Sequence, residues 1–315
     1  MKDAMDQHRP ARPKRRGLIA LAMAANFLTA TLAFGQSSPP DTLGKIRESG
    51  AITLGVREAS GGLSFSYGNG QYGGFHVELC QRIVAALEQS FGKKIEIKYQ
   101  NVTAANRVPL VQNGTVDLEC GSTSNTAARA QLVSFAMTTF IEEIRMAVKK
   151  KSGINGFDQI AGKTIVTTTG TTSAQHLRRL VLSGMQFNQI LAKDHSESFL
   201  LLESDRADGF VIDTGILSAQ ISASKSPQDY RIVGEPLSVE PDALMLRKDD
   251  VAFKKAVDDA IKAQIRSGQL AALWDKWFMQ AIPPTGKPIG LAMSANVKAA
   301  WDNPNDRPME TYVRQ

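Results

Sequence analysis

Between Ala51 and Met279 the chain alternates β-branched apolar stretches with amphipathic ones, and does so in two series separated by a long extended segment. Repeated strand–helix–strand units demand a largely parallel sheet with right-handed crossovers, so the pattern restricts the fold to the α/β class. The first series opens with AITLGV, residues 51–56, which alternates little, as a strand buried on both faces does. Val77–Phe91 follows as a helix with Leu79, Ile83, Val84 and Leu87 on one face and Gly92 after its end. KIEIKYQ, residues 94–100, is a second strand; a short helix then starts at Arg107, stops at Gly114, and leads to a strand over Asp117–Cys120. The Gly-rich aromatic stretch between the first strand and helix, GGLSFSYGNGQYGGF, lacks Lys and is not a phosphate loop.

The segment from Phe135 to Val148 carries no turn signal and is longer than one strand needs, so it reads as a crossing between two domains. A second series begins with a strand at 163–169 and a helix over Thr172–Leu182. It continues with a strand at 188–192, a helix over Ser196–Glu203, the strand GFVID at 209–213 and a helix over Thr214–Ser222. The chain then returns through a strand at Ala243–Arg247 to helices over Val251–Ser267 and Gln269–Met279. The expectation is a discontinuous first lobe, residues 41–139 plus 241–315, an inserted second lobe, residues 140–240, and two parallel or mixed sheets joined by two hinge strands.

Residues 1–16 hold Arg9, Arg12, Lys14, Arg15 and Arg16, and 18–34 are apolar, with Ala33 and Gly35 at the small positions of a cleavage site. That is the plan of a secretory signal peptide over residues 1–35. A retained anchor is the alternative, although Asn26, Thr29 and Thr31 interrupt a run already shorter than the ~20 apolar residues a span needs. Without residues 1–35 the charge falls from +6 to +2, with 31 basic against 29 acidic residues. No basic stripe with interleaved aromatics remains, so a nucleic-acid partner is not expected. Cys80 and Cys120 are the only cysteines. In an oxidising compartment they are a disulfide candidate, the alternative being two buried thiols; two Cys without clustered His make a poor zinc site.

The residues suited to a ligand lie at strand ends, where open α/β sheets bind theirs. In NRVPLVQNGTVDLECGSTSNTAAR, Arg107 and Arg129 flank a loop, Gly121–Asn125, rich in hydroxyls and amides, which suits an anion; two solvated arginines beside an ordinary turn is the plainer alternative. Arg57 directly follows the first strand. GTTS, residues 170–173, joins a strand to a helix, and Thr171 or Thr172 either caps that helix or joins its amides in holding a carboxylate. His195 precedes a helix as a cap, surface or ligand residue, and Asp213 ends a buried strand, as partner to an ammonium or as a helix cap.

LGVREAS, NRVPLVQNGTVDLECGSTSN, GKTIV with GTTS, AKDHSESF, IVGEPLS, MLRKDD, SGQL with KWF, and IPP resemble, in order and spacing over about residues 42–309, the periplasmic glutamate/aspartate-binding proteins of polar-amino-acid ABC importers, solute-binding protein family 3. The resemblance implies the two-lobed periplasmic binding protein fold of type II, an acidic amino acid as ligand, a membrane permease as partner, a monomer in the periplasm, and neither cofactor nor metal. Position by position it puts Arg129, Ser124 and Thr172 on the α-carboxylate, Asp213 and Ser122 on the α-ammonium, and Arg57, Arg107 and His195 around the side-chain carboxylate. The chain departs from the family at Ala104, where a Ser is usual, at Thr214, where a second acid is usual, and in IEEI (141–144) and PDAL (241–244), both in the crossing segments. These departures leave glutamate, aspartate, a related amide or another dicarboxylate open. A periplasmic lyase of cyclohexadienyl-dehydratase type is the enzyme alternative; it would need a general acid or base, and Glu142 and Glu143 are the unexpected acids.

Overall fold

The computed structural model describes residues 41–283 and 285–312; the signal peptide expected over residues 1–35 lies outside them. The first five-stranded sheet is ordered Glu96–Asn101, Ala51–Val56, Leu118–Glu119, Met245–Arg247, Val133–Phe135. Its first three strands are parallel and its last two run antiparallel to their neighbours. The second sheet is ordered Asn188–Ala192, Thr164–Thr168, Gly209–Asp213, Phe140–Lys149, Tyr230–Val233, with Val239–Asp242 also paired to Phe140–Lys149. Each sheet is covered by helices, the architecture that the repeated strand–helix units dictate.

Both cores follow from strand periodicity. In GFVID, Phe210 and Ile212 pack with Val166, Ile216 and Leu217, whereas Val211 on the other face packs with Ile165, Met146 and Leu177. The strand is buried on both sides, hence its unbroken apolar run. In the first sheet Ile52, Leu54 and Val56 join Leu79, Ile83 and Leu87 of the helix Phe75–Phe91. An aromatic group of Phe75, Trp274, Phe278 and Trp301 grips Phe140, the first residue of the long strand, whose ring stacks on Trp274 with centroids 4.6 Å apart. Phe140 thereby anchors one end of a strand whose remainder belongs to the other sheet.

The extended segment is not one strand. Val133–Phe135 belongs to the first sheet and Phe140–Lys149 to the second. Between them Thr138 and Thr139 donate backbone N–H groups to Asn305 O and Asp242 O. The glycine-rich aromatic stretch forms a three-stranded antiparallel sheet of Ala59–Ser60, Ser64–Gly68 and Gln71–Gly73. The return crossing contains a strand, Val239–Asp242, that Pro241 conceals in the sequence; Pro lacks the N–H a central strand would use and is tolerated at an edge. The helix expected over Gln269–Met279 is α-helical over Gln269–Trp274 and widens to a π-helix over Asp275–Met279, and a further helix, Ala295–Asp302, follows it.

Residues far apart in sequence complete the first sheet and its loops. Thr42 N–H donates to Asp250 Oδ2, and Arg247 donates to the Thr42 hydroxyl. Asn125 takes the Met309 N–H and donates its side-chain amide to Asp306 O, while Trp301 Nε1 donates to Thr139 O. Cys80 and Cys120 form a disulfide with Cα atoms 6.3 Å apart, tying the helix Phe75–Phe91 to the base of the Gly121–Asn125 loop. The bond closes a separation of 40 residues, for which the chain-entropy treatment gives about 3–4 kcal/mol. A Cys80→Ala/Cys120→Ala variant should lose roughly that much stability in urea titrations, and an unchanged midpoint would show that the bond constrains neither state.

Candidate functional site

Eight residues drawn from strand ends and helix starts converge where the two sheets face each other. Arg57 is almost fully buried directly after the first strand, with its backbone N–H held by Ser64 Oγ. Its Nη2 lies 3.2 Å from His195 Nε2, across from the other sheet. A guanidinium only donates, so Nε2 accepts, and the ring proton sits on Nδ1 facing Thr168 Oγ1 at 2.9 Å. Thr168 then donates to Ser198 Oγ, and Ser198 to Asp194 O. Burial, reinforced by Arg57 and Arg107, pushes His195 well below its ordinary pKa, which keeps the ring neutral as that chain requires. Asp194, not His195, caps the helix His195–Glu203, by taking the Glu197 N–H.

Arg107 opens the helix Arg107–Gln112 and donates through Nη1 to Ser122 O at 2.7 Å. Arg129, partly exposed, donates to Ser124 O at 2.8 Å and, across the cleft, to Gly170 O at 3.2 Å. Burial, with Arg107 next, brings Arg57 and Arg129 each down to about 10, so both remain cationic at neutral pH. Arg57 Nη1 and Arg107 Nε are buried without a partner, which leaves on each guanidinium a donor that an acceptor would satisfy.

Opposite them stand acids. Asp213 occupies the N-cap position of the helix Thr214–Ala223 but makes no side-chain cap bond. Burial, and then the charge of Glu240, raises its pKa to about 7. Thr214, at the position of the family's second acid, spends its hydroxyl on Glu143 O. Glu240 accepts from Thr172 Oγ1 at 2.7 Å and from Ser238 Oγ at 2.6 Å, with His176 Nε2 at 3.3 Å. Burial works to raise Glu240, and hydrogen bonds from His176, Ser124, Ser238 and Thr172 outweigh it, so its pKa is lowered. Ser122 donates its hydroxyl to Ser60 Oγ at 3.0 Å and keeps its lone pairs for another donor. Sequence reasoning missed Glu240 and Asp242 because Pro241 masked their strand, and missed Ser60 and Thr168 because isolated hydroxyls carry no pattern. Thr171 caps the helix Thr172–Leu182 by taking the Ala174 N–H. The Thr172 and Ser173 amides in that first turn have no intrahelical partner and suit an anion.

These bonds cross between the sheets, so the cleft is closed. The closest approach is at Gly170, φ +82°, where a Cβ would lie 2.8 Å from the carbonyl carbon and oxygen of Ala104. Residues 52–280 match the family described as bacterial extracellular solute-binding proteins, family 3. The chain belongs to that family. The L-glutamate/L-aspartate-binding protein of Pseudomonas aeruginosa is 40% identical, over 93% of this chain and 97% of that protein. The glutamate/aspartate import solute-binding protein of Escherichia coli is 38% identical, over 91% and 97%. An ancestral amino-acid-binding protein, a precursor of cyclohexadienyl dehydratase, superposes with a TM-score of 0.66 at 23% identity over 76% of this chain and 99% of that one, which is a likeness of fold.

Two outcomes follow for this family 3 solute-binding protein. Gly170→Ala should weaken solute binding about tenfold in a calorimetric titration, because the new methyl strikes the Ala104 backbone only when the cleft is closed, an overpacking cost of about 1–3 kcal/mol. Unchanged affinity would mean that closure does not use this contact. Asp213, with its pKa moved from 3.8 to about 7, holds in the fold a proton that the unfolded chain releases between those values. Stability of the solute-free protein therefore falls as pH rises through that window. Asp213→Asn should be more stable than the parent at pH 8 by about 1–3 kcal/mol in urea titrations, with the gap closing by pH 4.

Proposed function

We propose that this protein captures an acidic amino acid, glutamate or aspartate, by closing two lobes on it, and delivers it to an ABC permease. The observation that carries the reading is the convergence of Arg57, Arg107 and Arg129 opposite Asp213, with unpartnered buried donors on Arg57 and Arg107. A ligand with two carboxylates and one ammonium answers both sides. Its α-carboxylate goes to Arg129 and the amide of Thr172, since Glu240 engages the hydroxyls of both Thr172 and Ser124. Its ammonium goes to Asp213 and the Ser122 oxygen, and its side-chain carboxylate to Arg57 and Arg107. His195, with both ring nitrogens occupied, serves this group by holding Arg57 in place.

The lobes are residues 41–139 plus 241–315, and 140–240. Supporting that division to within two residues, the strands from Phe140 to Asp242 share one sheet, and those at 51–56, 96–101, 118–119, 133–135 and 245–247 the other. A signal peptide over residues 1–35 takes the chain to the periplasm, where it acts as a monomer, without nucleic acid and without enzymatic activity. A lyase of cyclohexadienyl-dehydratase type is the second reading, favoured by one observation: burial and their neighbours raise Glu142 and Asp242 well above the ordinary carboxyl range, so they hold protons that a leaving group could use. The binding reading ranks first because it uses all three arginines.

Calorimetric titration of ligand-stripped protein with glutamate, aspartate, glutamine and asparagine tests this. An acid should bind about a hundredfold or more tighter than its amide, because a neutral side chain leaves Arg57 and Arg107 buried without a counter-charge. Arg129→Ala should abolish binding of all four, whereas Arg107→Gln should chiefly erase the preference for acid over amide. Uniform loss for glutamate and glutamine in both variants would sink that division of roles.

A further inference from the structure

Two carboxyl groups at the floor of the cleft are not used by the scheme above. Phe140–Lys149 and Val239–Asp242 pair antiparallel with Glu142 opposite Glu240 and Phe140 opposite Asp242. On its other side the long strand pairs Ile144 with Asp213. Directly opposed residues, and alternate residues along a strand, share a face. Asp213, Glu142, Glu240 and Asp242 therefore project from one face of a continuous stretch of sheet.

The four are not equivalent. Glu240 is fully hydrogen-bonded. Glu142 is buried; its Oε2 takes the Gly215 N–H at 3.0 Å and its Oε1 has no partner. Asp242 is completely buried, and neither of its carboxyl oxygens has a partner. Buried polar atoms left in this way cost free energy whichever protonation state the group adopts, so the site calls for donors. No group of acids among the described residues is arranged to hold a metal ion.

An acidic amino acid alone does not supply those donors. Its ammonium has three N–H groups; Asp213 and Ser122 take two, and the third reaches at most one oxygen of Asp242. The second oxygen of Asp242 and Glu142 Oε1 remain. The charge points the same way. Asp213, Glu240 and Glu119, the last beside Arg57, already equal the three arginines in number. Asp242 and Glu142 have no arginine left to pair with, and the ligand's second carboxylate supplies no cation for them. These two acids lie in the two crossing segments, IEEI at 141–144 and PDAL at 241–244.

We propose that Asp242 and Glu142 form a second cation subsite, and that the solute is a diamino dicarboxylic acid: a dicarboxylic amino acid carrying a second ammonium group. The proposal rests on the reading of the cleft as an acidic-amino-acid site. Arg57, Arg107 and Arg129 hold the two carboxylates, Asp213 the first ammonium, and Asp242 with Glu142 Oε1 the second. Burial, together with Asp213, raises both acids well above the ordinary carboxyl range, and a second ammonium would oppose that shift.

The test compares two pairs of probes that differ only in the second amine: meso-2,6-diaminopimelate with 2-aminopimelate, and 2,4-diaminoglutarate with glutamate. Each is titrated calorimetrically into the mature protein, Asp242→Asn and Glu142→Gln at pH 6 and pH 8. In at least one pair the diamino compound should bind ten times or more tighter than its partner. Asp242→Asn should erase that ratio, while the mono-amino compound keeps its affinity within about threefold or gains. Mono-amino compounds that bind as well as or better than both diamino ones overturn the proposal, as does a ratio that survives in both variants. If glutamate binds best and tightens tenfold from pH 8 to pH 6 only while Asp242 is present, the acids serve as proton holders; the subsite is then refuted and the acidic-amino-acid reading stands. No binding of any of the four compounds would refute that reading and the subsite with it.

Discussion

The cost of removing charged guanidinium groups from water governs the design of the cleft. Burial is the largest influence on Arg57 and Arg129, ahead of every neighbouring charge, and the second is repulsion from Arg107. Three such groups cannot be held together by hydrophobic packing. They are fixed instead by oriented acceptors: Ser122 O for Arg107, Ser124 O and Gly170 O for Arg129, and a neutral imidazole for Arg57. Each acceptor is itself held by something rigid, as with the relay from His195 through Thr168 and Ser198 to a helix N-terminus. Arg57 Nη1 and Arg107 Nε are thereby held in place and desolvated, the preorganisation on which the proposed anion site relies.

The fold serves this arrangement by presenting the carboxyl ends of two sheets to each other. Arg57 and the Gly121–Asn125 loop sit at strand ends of one sheet, and Thr172, His195 and Asp213 at strand ends of the other. Two further N-termini, those of Thr172–Leu182 and His195–Glu203, add partial positive charge on the side facing the arginines. The strand Phe140–Lys149 is common ground: its first residue is clasped by aromatic rings of one core, and Ile144, Met146 and Val148 are packed in the other. A residue on this strand feels both lobes, which makes Glu142 a sensitive place for a departure from the family pattern.

The strongly periodic elements were readable from the sequence: 51–56, 188–192 and 209–213 are strands with those bounds, and Thr172–Leu182 is a helix with those bounds. Arg57, Arg107, Ser122, Ser124, Arg129, Thr172, His195 and Asp213 were grouped only by the resemblance; the pattern placed Arg57 and Asp213 at strand ends and Arg107 and Thr172 at helix starts. What could not be read depended on tertiary pairing. Val239–Asp242 is a strand only because Phe140–Glu143 lies beside it, and Pro241 argues locally against it. His195 suited a cap equally well until the structure placed Arg57 against one ring nitrogen and Thr168 against the other. The break between Val133–Phe135 and Phe140–Lys149 is set by contacts with residues 242 and 305, which no local window contains.

The way the first sheet is closed bears on how the molecule forms. Val133–Phe135 pairs with Met245–Arg247, and Thr42 bonds Asp250, a separation of 208 residues. The second sheet is built wholly from one continuous run, residues 140–242. Long chain closures slow folding, whereas local ones proceed early. The second sheet can therefore assemble on its own schedule, while the first waits for residues 245–247 to return, and for Asp306 and Met309 to fasten Asn125. The anion-holding loop is then the last part of the cleft to become rigid, and a chain caught before that step would be compact on one side and unable to hold its solute.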